Sequence, residues 1–112
     1  MTPNILKITK ADLDADNFYI GATEVSKQEF DGSIEIAADL GWVRFKGSLR
    51  AKFKINSLAG SGIEAGEGIK AGWDIEAGWG IEAGSGIEAG EGIEAGSGIE
   101  AGEGIKAGWD IE

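Results

Sequence analysis

Glutamate is the residue type whose spacing in this chain could do chemistry. From residue 64 onward a charged side chain recurs at every sixth position, and it is Glu everywhere except at Lys70 and Lys106. Catalysis by a carboxylate pair needs two different environments, one for the acid and one for the base. Identical repeats supply the same environment each time, so we expect a binding function and no enzyme activity.

The absence of Cys and His narrows the chemistry further. It removes thiol nucleophiles, disulfides, the usual zinc ligands and the commonest general base. Asp12, Asp14 and Asp16 are spaced like the start of an EF-hand calcium loop, but Asn17 stands where that loop needs Gly and Thr23 where it needs a bidentate Glu. We therefore expect these carboxylates to cap backbone amides, and we expect no metal and no cofactor.

The net charge of −10 is unevenly distributed along the chain. Residues 1–59 hold equal numbers of acids and bases, whereas residues 60–112 hold twelve acids against two lysines. Such a field repels nucleic acid and favours a basic protein surface, so we expect no direct nucleic-acid binding. The alternative is that the acids only keep a repetitive protein soluble.

The acids belong to a six-residue repeat that organises the chain from residue 58 to 112. Ile recurs at every sixth residue from Ile63 to Ile111, and residues 67–76 return unchanged at 103–112. Fixed-period repetition of this kind is typical of stacked architectures. Disorder is the alternative for a Gly-rich acidic tract, but disorder would not require Ile at every sixth place.

The repeat predicts an all-β, single-stranded β-helix (β-solenoid). In Ile-Glu-Ala the outer two residues face inward and the middle one outward, and Gly-x-Gly bends the chain toward the next short strand. Three hexads per coil give a triangular solenoid of 18 residues per turn, and two give a flat one of 12. The 36-residue identity fits both, and we predict the triangular form.

The same pattern continues upstream in degenerate form. Val43, Leu49 and Ile55 are spaced by six, and eight residues separate Ile55 from Ile63, which predicts a two-residue insertion near Leu58. We therefore divide the chain into an N-terminal β cap (1–33), degenerate basic coils (34–59) and the acidic solenoid (60–112). Strands are predicted at 5–10 and 18–20, and Trp42 is predicted to be in the core. A basic collar is formed by Arg44, Lys46, Arg50, Lys52 and Lys54, which we expect to pair with carboxylates of the next coil or of a second copy.

Triangular coils would stack the outward side chains in three columns. The first holds Glu64, Glu82 and Glu100, the second Glu76, Glu94 and Glu112, and the third Lys70, Glu88 and Lys106. Like charges about 5 Å apart repel by roughly 1 kcal/mol per pair in a solvent-like dielectric. The two Glu columns therefore indicate either a cationic partner or resistance to sideways aggregation.

Tryptophan occupies three corner positions, and the last coil has no change of pattern to close it. Trp73, Trp79 and Trp109 favour either partner contact or packing over Gly backbone. An uncapped coil offers unpaired backbone groups, so we expect a homodimer through Ile111 and Glu112. The predicted partner-binding set is Glu64, Glu76, Glu82, Glu94, Glu100, Trp73, Trp79 and Trp109.

The stretch GIEAGSGIEAGEGIEAG, with the preceding DGSIEIAADLGWVRFKGSLRAKFKI, resembles a family of small repeat proteins carried by phages and mobile elements of enteric bacteria. The resemblance covers residues from about 12 to the end, and it carries over no functional residue. It implies an inhibitor of host defence of the anti-CRISPR kind, whose partner would be a basic surface of a defence complex. No apolar run is long enough to span a bilayer and the N-terminus lacks signal-peptide zones, so we expect the bacterial cytoplasm and no membrane partner.

More distantly, the chain resembles hexapeptide-repeat left-handed β-helices, many of which are acyltransferases. Those enzymes need a catalytic His, and related metal-dependent members use His ligands, which this chain lacks. Their small inward residue follows the aliphatic one by four, whereas Ala here follows Ile by two. The handedness of the coil therefore stays open at this stage.

Overall fold

The computed structural model describes residues 4–108 and 111–112. Within them the chain forms short strands joined by bends, with one turn of 3-10 helix (Lys10–Asp12). The strands are β1 Ile5–Ile8, β2 Ser33–Ile36, β3 Gly41–Phe45, β4 Leu49–Ala51, β5 Ile55–Ser57, β6 Ser61–Ala65, β7 Ile69–Ala71, β8 Ile75–Ala77, β9 Ile81–Ala83, β10 Ile87–Ala89, β11 Ile93–Ala95, β12 Ile99–Ala101 and β13 Ile105–Ala107. In the described part of the chain, no helix has the length and apolar character needed to cross a bilayer.

The strands stack in parallel into three sheets that form the faces of a solenoid. Face 1 has the order β1-β2-β5-β8-β11, face 2 β12-β9-β6-β3 and face 3 β13-β10-β7-β4. Ile69 lies beside Ile87, and Ile87 beside Ile105, so one turn of the repeat takes 18 residues. The predictions of an all-β solenoid and of triangular coils are therefore confirmed.

The degenerate coils use longer turns in the same three-sided path. Val43 pairs with Ile63 and Ile55 with Ile75, a spacing of 20. The two extra residues widen the corner at 58–60, where Gly60 has a φ of 79° and the Leu58 amide donates to the Ile36 carbonyl. The predicted insertion near residue 58 is therefore confirmed, and it lies at a corner rather than in a strand.

Ser61 fastens this wide corner to the coil before it. Its hydroxyl donates to the Ala37 carbonyl and accepts from the Leu40 amide, while its own carbonyl accepts from the Ser57 hydroxyl. All of Ser61 is buried. Because a buried polar group must be paired, Ser at this one corner supplies hydrogen bonds that the later, exposed corners do not need.

The N-terminal segment forms an irregular coil below the regular ones. β1 pairs with β2, and Phe18 and Phe30 make single bridges to Arg44 and Ala51. The strand predicted at 5–10 is confirmed over 5–8, but the strand predicted at 18–20 is wrong. Pairing there stops at isolated bridges, one antiparallel between Leu13 and Tyr19 and one parallel at Phe18.

The aspartate-rich turn is held by its own side chains. Asp14 accepts hydrogen bonds from the amides of Asp16 and Phe18, both at 2.9 Å. Asn17 adopts the left-handed conformation, with a φ of 66°, and its side-chain amide donates to the carbonyls of Leu40 and Trp42. The expected capping role is confirmed for Asp14, and the turn is tied to the β3 strand.

The core consists of the inward rows of Ile and Ala with their degenerate equivalents. Ile34, Ile55, Ile63, Ile75 and Ile81 are at most 1% exposed. The Ala row is filled upstream by Phe45, Ala51 and Ser57, which are also buried. Burial weakens along the last coil, where Ile99 and Ile105 are only half-buried. The prediction that Trp42 is in the core is wrong, because it is half-buried and its ring lies over Gly62 and Gly80 and beside Trp79.

One Gly of each repeat is required by the close approach of successive coils. A Cβ atom at Gly72 would lie 2.0 Å from the Lys52 carbonyl oxygen, and one at Gly90 the same distance from the Gly72 oxygen. The amides of these residues donate to the coil below, Gly72 to Ala51 and Gly90 to Ala71. Only a residue without a side chain allows this approach.

Candidate partner-binding faces

The outward side chains form the predicted columns. On face 2, Arg44, Glu64, Glu82 and Glu100 stand in register on successive strands. Face 1 carries Glu35, Asn56, Glu76 and Glu94, and Glu112 follows through the bridge between Ile93 and Ile111. Face 3 carries Arg50, Lys70, Glu88 and Lys106. The predicted stacking of both Glu columns and of the mixed-sign column is therefore confirmed.

The first repeat-coil glutamate of each acidic column is paired within the protein. Glu64 Oε2 lies 2.8 Å from Arg44 Nε, and Glu76 Oε2 lies 3.3 Å from Lys54 Nζ. Both pairs join a degenerate coil to the repeat coil above it. The expectation that the basic collar pairs with the next coil is confirmed at these two points.

Other members of the basic collar have different surroundings. Lys52 pairs with Asp31 of the N-terminal segment at 3.5 Å. Lys46 lies 5.5 Å from the Phe18 ring centre, and Arg50 stands in register with Lys70, a like charge. Three members of the collar, Arg44, Lys52 and Lys54, therefore have an ion-pair partner within the protein.

The predicted carboxylates higher in the columns are open to a partner. Within the described residues, Glu82, Glu94 and Glu100 make no ion pair. On face 3, Lys70 reaches Glu88 at 3.9 Å, so opposite charges partly neutralise that side. Faces 1 and 2 consequently present the uncompensated negative charge.

The linear charge density of the repeat is close to that of duplex DNA. The coil formed by residues 81–98 carries four acids and no base, and the coil formed by 63–80 carries four acids and one lysine. With roughly 4.8 Å between neighbouring strands, these values give about one net charge per 1.2 to 1.6 Å of axis. Duplex DNA carries one negative charge per about 1.7 Å.

Two of the predicted corner tryptophans pack on aromatic rings of earlier coils. The ring centres of Trp73 and Phe53 are 4.8 Å apart, and those of Trp79 and Trp42 are 6.1 Å apart. Trp73 and Trp79 nevertheless remain 48% and 42% exposed. Each therefore packs on one aromatic neighbour and keeps an exposed surface. Trp109, also predicted, lies outside the described residues.

A groove that was not predicted lies along one edge of face 2. It has a volume of about 340 Å³ and is lined by Trp42, Gly80, Ile81, Glu82, Ser97, Gly98, Ile99 and Glu100. The Trp42 ring covers Gly62 and Gly80, where an added Cβ would lie 2.8 Å from ring atoms. Trp42 precedes Val43 as Gly62 precedes Ile63, so the hexad frame already placed it over a row of glycines, and that signal was available in the sequence.

A second groove lies along the opposite edge of the same face. Its volume is about 430 Å³, and its lining includes Phe18, Lys46, Glu64, Glu82 and Gly84. Here the aromatic ring already has cations beside it, since the Arg44 guanidinium carbon is 5.4 Å from the Phe18 ring centre. This groove is therefore less available for a cationic ligand than the Trp42 groove.

Two titratable groups near the irregular coil have shifted pKa values. Burial raises the pKa of the Tyr19 hydroxyl, which donates a hydrogen bond to the Thr23 carbonyl at 3.1 Å. Hydrogen bonds from the backbone amides of Lys27 and Ser26 lower the pKa of the Glu24 carboxyl. Neither group lies on the acidic faces, and neither forms a nucleophile and base pair with a neighbour.

The last coil carries the residues predicted for self-association. Ile111 is 48% exposed and Glu112 is exposed, while the Glu112 amide donates to the Ile93 carbonyl. Dimerisation through this coil stays a prediction.

Among the described residues, no group of three or more acidic side chains is arranged to hold a metal ion.

Comparison with known proteins found no relative of this chain. No protein-family model matches the chain, and neither curated proteins nor solved structures gave a match. The functional argument therefore rests on the acidic faces and the two grooves themselves.

Proposed function

We propose that the protein inhibits a bacterial defence complex by occupying its basic nucleic-acid-binding surface. In this proposal the protein is a nucleic-acid mimic of phage or mobile-element origin that works in the cytoplasm of the bacterial host. The observation that carries the proposal is the charge density of the repeat coils, about one net charge per 1.2 to 1.6 Å at the strand spacing of the sheets. A groove built to hold phosphates would accept such a surface.

The arrangement of the carboxylates supports the same proposal. Glu82, Glu94 and Glu100 project from rigid parallel sheets and have no cation beside them in the described part of the chain. Repulsion between the carboxylates destabilises the free protein, and a basic partner would reduce that repulsion. Electrostatic steering would also make association fast and sensitive to salt.

The test measures displacement of labelled target DNA from a purified nucleic-acid-guided defence complex. We expect the protein to release the DNA. For the triple variant E82Q/E94Q/E100Q, the same release should require a concentration at least about tenfold higher. The matched control E67Q/E91Q/E103Q removes the same charge from corner positions instead of the columns, and it should need an intermediate amount of protein, because it lowers the charge density but leaves the columns intact. DNA occupancy that is unchanged at saturating protein contradicts mimicry.

A cellular assay gives the second measurement. Host cells that carry a defence complex and express the protein should become permissive to a targeted phage, whereas cells expressing E82Q/E94Q/E100Q should remain protected. If cells that express the protein remain protected with every class of nucleic-acid-guided defence complex assayed, the proposed function is contradicted.

The alternative function is a self-assembling structural module whose acids only maintain solubility. Ile99 and Ile105 on the last described coil favour it, because a further coil, from this chain or from a second copy, would complete their burial. Sedimentation at increasing concentration separates the possibilities. A closed homodimer reaches a fixed mass, whereas an open-ended assembly keeps growing.

A further inference from the structure

We propose that the Trp42 groove of face 2 binds an arginine side chain of the protein partner. The guanidinium would lie on the Trp42 ring and pair with Glu82 and Glu100, which line the same groove. This inference deepens the proposed function, because it assigns one acidic face a particular contact with the basic surface.

The protein already contains this arrangement at the other edge of face 2. There the Arg44 guanidinium lies 5.4 Å from the Phe18 ring centre and 2.8 Å from the Glu64 carboxylate. An aromatic ring and a carboxylate of the column thus hold a guanidinium between them. The Trp42 groove repeats the ring and the carboxylates, but within the described residues no cation lies in it.

The shape of the groove suits a flat cation on a long side chain. Gly80 and Gly98 border it without side chains, so the volume of about 340 Å³ stays open beside the ring. Trp79 meets Trp42 edge-on, with an interplanar angle of 62°, and the Trp42 ring also lies against Gly62 and Gly80. A fixed ring loses little freedom on binding, which favours stacking over a flexible contact.

The choice of arginine over lysine follows from the donors of the two side chains. Guanidinium is planar, so it can stack on an indole while its fork of N–H groups reaches a carboxylate. An ammonium is a compact and strongly hydrated charge that gains less from the ring. Cation–π contacts with Trp contribute about 0.5 to 2 kcal/mol, which corresponds to roughly a 2- to 30-fold change in affinity.

The test titrates the whole protein with a blocked Gly-Arg-Gly-Arg-Gly peptide and follows the four indole N–H resonances by NMR. We expect the Trp42 resonance, assigned from Trp42→Phe, to shift most, and the matching lysine peptide to bind more weakly. Trp42→Leu should weaken binding by about 2- to 30-fold, and E82Q/E100Q should also weaken it. Trp42→Phe should retain part of the affinity, and its folded spectrum keeps the test valid if Trp42→Leu is poorly folded.

The controls lie at corner positions away from the groove. E91Q/E103Q removes equal charge and Trp73→Leu removes a ring that is more exposed than Trp42, and neither should change binding by more than about twofold. If these controls weaken binding as much as the face 2 variants, or if arginine and lysine peptides bind equally, the inference is wrong. If the peptide titration fails but the original protein still displaces DNA, only the arginine-binding inference is wrong. If the protein also fails to displace DNA, the proposed function is wrong as well.

Discussion

The degenerate coils (residues 33–57) and the repeat coils (residues 63–108) follow one path with different side chains. In the degenerate coils the inward row varies, with Leu49 and Phe45 among its members, and its side chains are as fully buried as the Ile row of the first repeat coils. The degenerate coils hold five bases against two acids, whereas the outward row of the repeat coils is mainly acidic. The path therefore accepts inward residues of different size, such as Phe45 beside Ala65, and of different polarity, such as Ser57 beside Ala77.

The difference teaches where specific contacts arise in a repetitive fold. Both ion pairs between acidic columns and the collar, Arg44 with Glu64 and Lys54 with Glu76, cross the boundary between the two regions. The ring that forms the unpredicted groove, Trp42, also belongs to a degenerate coil but lies on repeat glycines. The repeat supplies a uniform charged surface, and the irregular coils supply the features that distinguish one part of it from another.

The largest expected effect concerns the hydrophobic core that the two regions share. If the loss of stability on truncating a core residue differed between the regions, they would not share one core. Leu49, Ile69 and Ile105 occupy one inward column of face 3, and the first two are at most 1% exposed. Leu49→Ala and Ile69→Ala should each lower the free energy of unfolding by about 2 to 5 kcal/mol. Ile105→Ala should cost about half as much, because Ile105 is only half-buried.

Urea unfolding followed by circular dichroism measures these changes. Comparable losses for Leu49→Ala and Ile69→Ala would indicate one continuous core. A small loss for Ile69→Ala beside a large one for Leu49→Ala would contradict it and would separate the repeat from the stable part of the protein.

The second effect concerns a row of corner positions that carries side chains in the degenerate coils and Gly in the repeat coils. Lys46, Lys52 and Leu58 occupy the row that holds Gly66, Gly72 and Gly78 one coil later, where a Cβ would lie 2.0 to 2.5 Å from the carbonyl oxygen below. Gly90→Ala should therefore cost about 1 to 3 kcal/mol or more through this clash. Gly104→Ala is the control, since no described atom lies within 4 Å of its Cβ position.

Thermal unfolding provides the measurement, with a lower midpoint for Gly90→Ala than for Gly104→Ala. The other Gly row already accepts a side chain, because Asp74 stands in it and its carboxylate accepts from the Gly92 amide at 3.0 Å. Equal midpoints for the two Ala variants would mean that the coils can move apart without cost.

The smallest effect concerns charge and should have opposite signs in the two regions. Glu82→Gln removes one like charge from the face 2 column and should raise the free energy of unfolding by about 0.2 to 1 kcal/mol. Arg44→Gln breaks an ion pair that is 42% and 32% exposed on its two sides, so it should lower stability by less than about 1 kcal/mol.

Salt dependence checks that prediction. Both changes should largely disappear in about 1 M salt, where exposed charges are screened over roughly 3 Å. An effect of Glu82→Gln that persists in high salt would have a cause other than repulsion within the column.

The regular part of the fold and the columns of the site could be predicted from the sequence because they follow from periodicity. Ile at every sixth place fixes which residues face inward, and the insertion near Leu58 follows from a change of phase. The path of the N-terminal segment could not be predicted, because Phe18 and Phe30 bridge to Arg44 and Ala51, which are more than twenty residues away. The Trp42 groove was not predicted because Trp42 was expected in the core, although the hexad frame places it over Gly62 and Gly80.

The wide corner at 58–60 also bears on how the protein folds. Identical coils could pair one turn out of step at almost no cost in the Ile and Ala rows, since every shifted contact would again be Ile on Ile. The corner occurs once, and the hydrogen bonds of Ser61 to Ala37 and Leu40 form only when the first repeat coil meets the correct degenerate coil. The corner therefore fixes the register of the repeat coils against the degenerate coils.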